Sequence, residues 1–390
     1  MGSGFKKSHR LSQIPPYLFD KMDRLRRKIE AEGKEVINLS IGDPDLPTPK
    51  PIIEALSSAA LESWRHRYPP YEGLKEFREA VANWYQKRFG VLLNPETEVL
   101  TLIGSKEGIA HLPLALINPG DRALIPDPAY TVYQAATIFA GGLPYFLPLL
   151  SARGFLPDLK AVAPEVAKEA QLLFINYPNN PTGAVATKEF FKQVIEFARD
   201  NNLIICHDAA YTEIAYDGYR PYSLLQLEGG KEAGIEINSL SKPYNMTGWR
   251  IGYAVGNSQL ISYLRELKTN VDSGVFGAIQ HAGAVALNEC QEYINQMVSI
   301  YQKRRDILVE GLNKLNWKVE KPPATFYVWA PVPQGYNSLE LATLLLEKAG
   351  IVVTPGTGFG KYGEGYLRLS LTTNQEKLQE AVERIGRIPL

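Results

Sequence analysis

The sequence is poor in cysteine, has no excess of charge of either sign, and has no long apolar run. It holds two cysteines, Cys206 and Cys290, so no disulfide framework can form, and this favours a reducing compartment. Its 42 Lys and Arg residues balance 42 Asp and Glu residues, which argues against a protein that binds nucleic acid or a membrane surface. The charged fraction of 22% and the hydrophobic fraction of 45% exclude wholesale disorder. We therefore expect a cytoplasmic globular protein.

One uncharged stretch, residues 129–150, is long enough to be compared with a membrane-spanning helix. It contains Gly141, Gly142, Pro144 and Pro148, and these residues interrupt a continuous helix. We therefore predict a buried helix, a turn and a strand here, and no membrane span.

The spacing of apolar residues along the 390-residue chain predicts an α/β fold with two domains. Six short apolar runs alternate with helical stretches, at 99–103, 123–125, 172–175, 203–206, 235–240 and 251–255. Such alternation indicates a largely parallel sheet that is covered by helices on both faces. We predict a large domain at 46–285 and a smaller α+β domain formed by 1–45 and 286–390.

Several elements are expected around that sheet. Helices are predicted after Thr48-Pro49 and from about Leu74 to Gly90. The smaller domain is expected to contain one long helix at about 286–315, strands at 325–330 and 351–354, and a final amphipathic helix. An amphipathic helix near the start of the chain carries apolar residues on one face, namely Leu18, Met22, Leu25 and Ile29.

Polar, charged and small residues follow four of the apolar runs. In open α/β sheets ligands bind beyond the carboxyl ends of the strands, so these residues are expected to meet at one edge. A helix that starts at Ser105 and Lys106 offers unpaired backbone N–H groups and a positive dipole end, which attract a phosphate. Ser239 and Ser241 add hydroxyl groups, and the guanidinium of Arg250 suits the same anion.

Lys242 and Asp208 add the chemistry of a cofactor that has a ring. A lysine near other cations has a depressed pKa and can form a Schiff base with an aldehyde. A carboxylate such as Asp208 at a strand end can pair with a protonated pyridine nitrogen. These residues together suit an anion that is attached to a ring.

Two other features are interpreted as having no catalytic role. His207 could act in acid–base chemistry or bind a metal, but no other histidine has a matching ligand spacing, so we predict structural packing and no metal site. Gly356-x-Gly358-x-Gly360 has the wrong spacing for a dinucleotide-binding loop, and no strand, helix and acidic residue surround it as that loop requires.

These residues carry a resemblance to a known family. The segment Ser239-Leu240-Ser241-Lys242-Pro243-Tyr244-Asn245-Met246-Thr247-Gly248-Trp249-Arg250-Ile251-Gly252 resembles the pyridoxal-phosphate lysine signature of the class I/II aminotransferases. Asn180-Pro181-Thr182-Gly183, Asp208-x-x-Tyr211 and Tyr366-Leu367-Arg368 match in the same order. The resemblance covers essentially the whole chain. It implies a fold type I transferase with a mostly parallel seven-stranded sheet, pyridoxal 5′-phosphate as cofactor, and a two-step ping-pong transfer between an amino acid and a 2-oxo acid.

The resemblance also implies roles for individual residues. Lys242 is the lysine that binds the cofactor covalently and then moves the substrate α-proton, and Asp208 pairs with the pyridinium nitrogen. Tyr211 and Asn180 bond the phenolic oxygen of the ring, and Tyr130 stacks on the ring. The phosphate is held by the residues Ser105, Lys106, Ser239, Ser241 and Arg250. Tyr68 matches the tyrosine that reaches the phosphate of a neighbouring subunit, which implies a homodimer with shared sites.

The substrate follows from the same resemblance. Arg368 would bind the substrate α-carboxylate, helped by Asn180 and the backbone at Gly42, with Tyr130 nearby, and Lys106 would meet a distal carboxylate. The segments 41–49, 177–185 and 270–276 are most similar to those of bacterial LL-diaminopimelate aminotransferases, which use tetrahydrodipicolinate and glutamate in lysine synthesis. Residues 244–246 depart from the Ala-Gly-Phe of plant-type members. An aspartate- or alanine-type aminotransferase of broader specificity and a pyridoxal-phosphate-dependent carbon–sulfur β-lyase remain alternatives.

Overall fold

A computed structural model describes residues 4–14, 26–27, 30–31, 33 and 35–389 of the protein. The helix predicted through Leu18, Met22, Leu25 and Ile29 lies outside these residues.

The centre of the fold is a seven-stranded sheet. Its strands in chain order are β2 (Val99–Leu102), β3 (Arg122–Asp127), β4 (Leu143–Pro148), β5 (Ala170–Asn176), β6 (Ile204–Asp208), β7 (Gly234–Ser239) and β8 (Gly252–Gly256). Their spatial order is β2-β8-β7-β6-β5-β3-β4. Strand β8 runs antiparallel to both of its neighbours, and all other pairs are parallel. The predicted mostly parallel seven-stranded sheet is therefore confirmed.

Burial on both faces explains why the strands were visible as continuous apolar runs. Along β5, Leu172 and Phe174 pack into one apolar cluster, whereas Leu173 and Ile175 pack into a second cluster. Because successive side chains of a strand point to opposite faces, a sheet that is covered on both sides favours apolar residues at consecutive positions.

The helices surround this sheet and extend beyond it. Their bounds are α1 (His9–Ser12), α2 (Lys50–Ala59), α3 (Lys75–Phe89), α4 (Ser105–Leu116), α5 (Val132–Phe139), α6 (Pro164–Glu169), α7 (Lys188–Asn201), α8 (Gly230–Ala233), α9 (Ser258–Thr269), α10 (Gly277–Glu289), α11 (Gln291–Lys314), α12 (Ser338–Leu344) and α13 (Gln375–Ile385). Short 3-10 turns lie at Ser63–His66, Ser151–Arg153, Leu159–Ala161, Leu224–Gln226, Thr247–Trp249, Gly356–Phe359 and Lys361–Gly363, and a π-helical turn at Leu345–Ala349 continues α12.

Two predictions about helices have different outcomes. Residues 129–150 form α5, a turn and β4, as predicted, and none of the helices among the described residues could cross a membrane. The long helix predicted at about 286–315 is present as α11, but it begins only at Gln291, because α10 and α11 are separate helices that meet at Cys290. The backbone of Cys290 (φ −107°, ψ 23°) leaves the helical region there, while apolar residues continue on both sides and hide the break.

The remaining strands connect the two ends of the chain. Strand β1 (Ile37–Asn38) pairs in parallel with β10 (Ile351–Val352), and β12 (Tyr366–Ser370) lies between β11 (Thr354–Pro355) and β9 (Tyr327–Pro331) in an antiparallel sheet. The strand predicted at 351–354 is thus divided into two. The domain boundaries at 46–285 and at 1–45 with 286–390 stay a prediction.

Candidate active site

A cavity of about 690 Å³ lies at the edge where the parallel strands end. Asp208 ends β6 and Ser239 ends β7, and Ser105 begins α4 directly after β2. All predicted site residues except Tyr68 line this cavity, namely Gly42, Ser105, Lys106, Tyr130, Asn180, Asp208, Tyr211, Ser239, Ser241, Lys242, Arg250 and Arg368. The structure therefore brings together residues that are up to 326 positions apart in the chain, since 368 − 42 = 326.

Tyr68 lies outside the cavity and is 86% exposed. Leu61, Trp64 and Tyr71 are exposed large side chains in the same part of the chain. The role predicted for Tyr68 depends on a second subunit, and it stays a prediction.

One end of the cavity is built for an anion. The first turn of α4 has no side-chain cap, so its backbone N–H groups can bind a ligand. Gly104, which precedes the helix, has a positive φ of 77°, and a Cβ there would lie under 3.0 Å from the guanidinium of Arg250. Arg250 therefore lies directly against the helix N-terminus, with Ser239 and Ser241 in the same lining.

Asp208 is a buried carboxylate that also lines this cavity. Its Oδ2 accepts a hydrogen bond of 2.7 Å from Tyr133, and its Oδ1 accepts a 3.4 Å bond from the N–H of Ala210. Burial raises the pKa of Asp208, and the hydroxyl of Tyr133 opposes that rise. Among the described residues no lysine or arginine forms an ion pair with it. A protonated ring nitrogen would supply the missing positive charge.

The amine of Lys242 lies between these groups and the beginning of the chain. Its Nζ donates a 2.8 Å hydrogen bond to the carbonyl of Gly42. Burial lowers the pKa of Lys242 to about 8, and the positive charges of Arg368 and Arg250 act in the same direction, whereas Asp43 opposes them. A substantial fraction of this amine is therefore neutral and nucleophilic near neutral pH.

Arg368 is positioned on β12 by contacts on several sides. Its guanidinium carbon lies 4.1 Å from the ring centre of Tyr327 and 4.6 Å from that of Phe359. Its Nη1 donates to Asn180 Oδ1 at 2.9 Å and its Nη2 donates to the carbonyl of Ser40 at 2.7 Å. Its Nε is buried and has no hydrogen-bond partner in the described chain. A carboxylate would satisfy this donor.

Sequence reasoning missed three aromatic residues of the site. The hydroxyl of Tyr327 lies 3.0 Å from that of Tyr211, Tyr133 bonds Asp208, and Phe359 covers Arg368. Tyr327 lies in a strand that was predicted, but an aromatic residue in a strand is usually a core residue, so no local signal separated it from the core. Tyr133 lies three residues after Tyr130, and this short separation is the only signal in the sequence that could have pointed to it.

His207 and the potential metal ligands lie outside the cavity. The ring of His207 bonds Glu236 at 2.7 Å and the carbonyl of Tyr177 at 3.0 Å, in agreement with structural packing. Within the described part of the chain one group, Glu107, His111 and Asp272, has metal-ligand atoms within 4.8 Å of one another. The ammonium group of Lys268 already bonds Asp272 at 2.6 Å and Glu107 at 3.3 Å, so a cation of the protein is present there.

The chemistry of the cavity fits pyridoxal 5′-phosphate. The uncapped helix N-terminus and Arg250 suit its phosphate, and Asp208 suits its ring nitrogen. The amine of Lys242 suits its aldehyde. The buried Nε of Arg368 is left to bind a substrate carboxylate.

Comparisons with known proteins agree with this interpretation. Residues 34–385 match the family described as aminotransferase class I and II. The chain is 56% identical to a protein named LL-diaminopimelate aminotransferase from Syntrophobacter fumaroxidans, over 98% of this chain and 99% of that one. It is 55% identical to a protein of the same name from Moorella thermoacetica, over 98% of each chain. Among solved structures, substrate-bound BacF from Bacillus subtilis is 40% identical, with a TM-score of 0.95 over 98% of each chain.

Proposed function

Because the chain belongs to the class I and II aminotransferases, which are pyridoxal-phosphate-dependent transaminases, we propose that its substrates are LL-diaminopimelate and 2-oxoglutarate, in lysine biosynthesis. The main support for this proposal is the similarity to proteins named LL-diaminopimelate aminotransferase, which are 53–56% identical to this chain over nearly its whole length. In the biosynthetic direction tetrahydrodipicolinate would accept the amino group of glutamate.

The residues of the large sheet would hold the cofactor. The backbone N–H groups of Ser105 and Lys106 and the guanidinium of Arg250 would bind the phosphate, and Asp208 would keep the ring nitrogen protonated. Tyr133 would keep the Asp208 carboxylate ionised by donating to it. Pyridoxal phosphate, when bound, supplies an electron sink that stabilises negative charge at the substrate Cα.

Lys242 would act as the base that removes the proton from the substrate Cα. With a pKa of about 8 about a tenth of the amine is neutral at pH 7, compared with about one part in 3,000 for an ordinary lysine pKa of 10.5. The environment of Lys242 thus raises the concentration of the reactive form about 300-fold. The carbonyl of Gly42, which accepts from Nζ, orients the amine.

Arg368 would bind the substrate α-carboxylate through its unpartnered Nε. Asn180 and the carbonyl of Ser40 each accept from one terminal nitrogen, so the plane of the guanidinium is fixed before substrate arrives. A donor that needs no reorganisation on binding contributes more to affinity.

The distal end of diaminopimelate carries one carboxylate and one ammonium group. Lys106 and Asp43 both line the cavity, and neither has a hydrogen-bond or ion-pair partner elsewhere in the described chain. A pair of opposite charges in the cavity would suit such a distal end, whereas a substrate with only a distal carboxylate would use Lys106 alone.

Oligomeric state and location are also proposals. The exposure of Tyr68 beside other exposed apolar side chains supports a homodimer in which Tyr68 completes the site of the second subunit. The free, buried thiols of Cys206 and Cys290 support a cytoplasmic location.

A panel of amino donors tests the substrate. With 2-oxoglutarate as acceptor, LL-diaminopimelate should give a kcat/KM at least about tenfold above that of aspartate, alanine or tyrosine. Equal values for aspartate or alanine would replace the proposal by an aminotransferase of broader specificity. Release of pyruvate from cystathionine or cysteine, without amino transfer to an oxo acid, would instead establish a β-lyase.

Mixing two inactive variants tests the shared site. Lys242→Ala removes the base, and Tyr68→Ala removes the residue assigned to the second subunit. A mixed dimer would contain one site with both native residues, so mixing should restore a substantial part of the activity that each variant lacks. A mixture that is no more active than the sum of its components would refute the shared site.

A further inference from the structure

The loop that contains Gly356, Gly358 and Gly360 is attached to the end of strand β3. The carboxylate of Asp127, the last residue of β3, accepts hydrogen bonds from the backbone N–H groups of Lys361 at 3.1 Å and Tyr362 at 3.0 Å. Asp127 is buried, with 4% of its surface exposed. Two residues later the N–H of Ala129 donates to the carbonyl of Phe359 at 2.9 Å. Three hydrogen bonds thus join residues 127–129 to residues 359–362.

Gly360 allows the loop backbone to lie directly against the carboxylate. Its φ of +140° is a conformation that residues with a side chain rarely adopt. A Cβ at this position would lie under 3.0 Å from both carboxylate oxygens of Asp127. The contact with Asp127 therefore explains why a glycine stands at position 360, in a segment whose spacing did not fit a dinucleotide-binding loop.

Both joined segments contribute side chains to the lining of the cavity. Residues 127–129 lead into Tyr130, which is assigned to the cofactor ring. The loop carries Phe359, whose ring lies 4.6 Å from the guanidinium carbon of Arg368. Phe359 is itself buried and packs edge-on against Trp329, so its position follows the position of the loop.

We propose that Asp127 is a positioning residue that holds Phe359 against Arg368 and thereby sets the affinity of Arg368 for the substrate α-carboxylate. The inference rests on the proposed function, because it takes Arg368 as the residue that binds that carboxylate. Both oxygens of Asp127 accept a backbone N–H group, and an amide has only one oxygen, so asparagine cannot keep both bonds. The loop should then move away from β3, and Phe359 should no longer support the guanidinium.

The first test compares Asp127→Asn with Asp121→Asn in the pyridoxal-phosphate-loaded enzyme. Asp121 lies just before the other end of β3, and its carboxylate accepts from the N–H of Asn118 at 2.8 Å, away from the cavity. We expect Asp127→Asn to raise the KM of the amino donor by about 10- to 100-fold and to change kcat less than about threefold. Asp121→Asn should leave both unchanged. An equal effect of the two variants, or an effect on kcat alone, would overturn the proposal.

A double-mutant cycle with Arg368→Ala separates positioning from general weakening of the fold. If Asp127 acts through Arg368, then Asp127→Asn should raise KM by less than about twofold when Arg368 is already alanine. If Asp127→Asn raises KM by the same factor with arginine and with alanine at position 368, the positioning role is overturned. If Arg368→Ala by itself leaves KM unchanged, the assignment of Arg368 in the proposed function fails, which is a different result.

A second variant keeps the proposal testable if Asp127→Asn does not fold. Gly360→Ala changes the loop instead of the strand, because its methyl group would collide with the carboxylate of Asp127. It should therefore raise the KM of the amino donor as Asp127→Asn does. Gly335→Ala is its control, because Gly335 has a φ of +101° but open space around its Cβ position. A rise in KM with Gly335→Ala as large as that with Gly360→Ala would show that backbone strain, and not the contact with Asp127, is responsible.

Discussion

Replacing Lys242 by methionine should stabilise the apoenzyme at neutral pH. Burial holds the folded-state pKa of Lys242 at about 8, compared with 10.5 for the unfolded chain. Since one pKa unit corresponds to about 1.36 kcal/mol, the protonated amine destabilises the folded state by about 3 kcal/mol below pH 8. Methionine has a similar length and no charge, so it removes this cost. It also removes the hydrogen bond to Gly42, which contributes about 1 kcal/mol, so a net gain of about 2 kcal/mol remains at pH 7.

The effect of Lys242 on stability depends on pH, because its pKa is lower in the folded chain than in the unfolded chain. Between pH 8 and 10.5 the unfolded chain binds more protons at Lys242 than the folded chain does, so the stability of the native apoenzyme rises with pH in this window. The advantage of Lys242→Met should therefore be largest below pH 8 and should disappear as the pH approaches 10.5. We expect this trend in urea unfolding of the two apoenzymes, measured from pH 7 to pH 10.

Lys106→Met is the matched control for this prediction. Lys106 lines the same cavity but is exposed, so its replacement should change the free energy of unfolding by less than about 0.5 kcal/mol. If Lys242→Met lowers stability at pH 7, or if its effect does not shrink with rising pH, then the amine is not held in an unfavourable environment. The account of its reactivity would then be wrong.

Three further predictions concern the site that would hold the cofactor. Gly42→Ala places a Cβ under 3.0 Å from the hydroxyl of Tyr327 and should lower kcat/KM by about tenfold or more, whereas Gly248→Ala, which meets nothing within 4 Å, should not. Tyr133→Phe removes the 2.7 Å hydrogen bond to Asp208 and should weaken cofactor binding about tenfold in equilibrium dialysis, and native affinity would contradict the assignment. The rate at which the apoenzyme takes up pyridoxal phosphate should rise with pH to a midpoint near 8, and a midpoint above pH 10 would contradict the pKa of Lys242.

The residues at the strand ends could be predicted because two local signals coincide there. The central strands are buried on both faces and are therefore largely apolar, as along β5. Polar residues that follow the end of such a run mark the edge where ligands bind, which located Asp208 and Ser241. The roles of Tyr211 and Arg368 came from the family resemblance, because neither stands out in its own segment.

Long-range contacts could not be predicted in this way. Asp127 is one more residue at a strand end, and nothing near it in the sequence shows that residues 361 and 362 donate to it. The break between α10 and α11 was hidden for a related reason. The buried faces of both helices continue one apolar pattern, so only the backbone at Cys290 reveals where the direction changes.

The charges around the cavity explain how a chain with no net charge can bind anionic ligands. Two acidic side chains, Asp43 and Asp208, line it together with five cationic ones, namely Arg26, Lys106, Lys242, Arg250 and Arg368. The charge of the lining is therefore 5 − 2 = +3 when Lys242 is protonated, and Glu30 neutralises one of these charges through its 2.8 Å ion pair with Arg26. A phosphate monoester carries a charge of about −1.5 to −2 at pH 7, and an α-carboxylate adds one more negative charge. The cofactor phosphate and the substrate α-carboxylate therefore offset most of the positive charge of the lining, while the protonated ring nitrogen pairs with Asp208. Each of them also acts on Lys242, because negative charge near an amine raises its pKa and opposes the effect of Arg250 and Arg368. The reactivity of Lys242 thus depends on how closely each anion approaches it, which makes the positions of Arg250 and Arg368 as important as their charges.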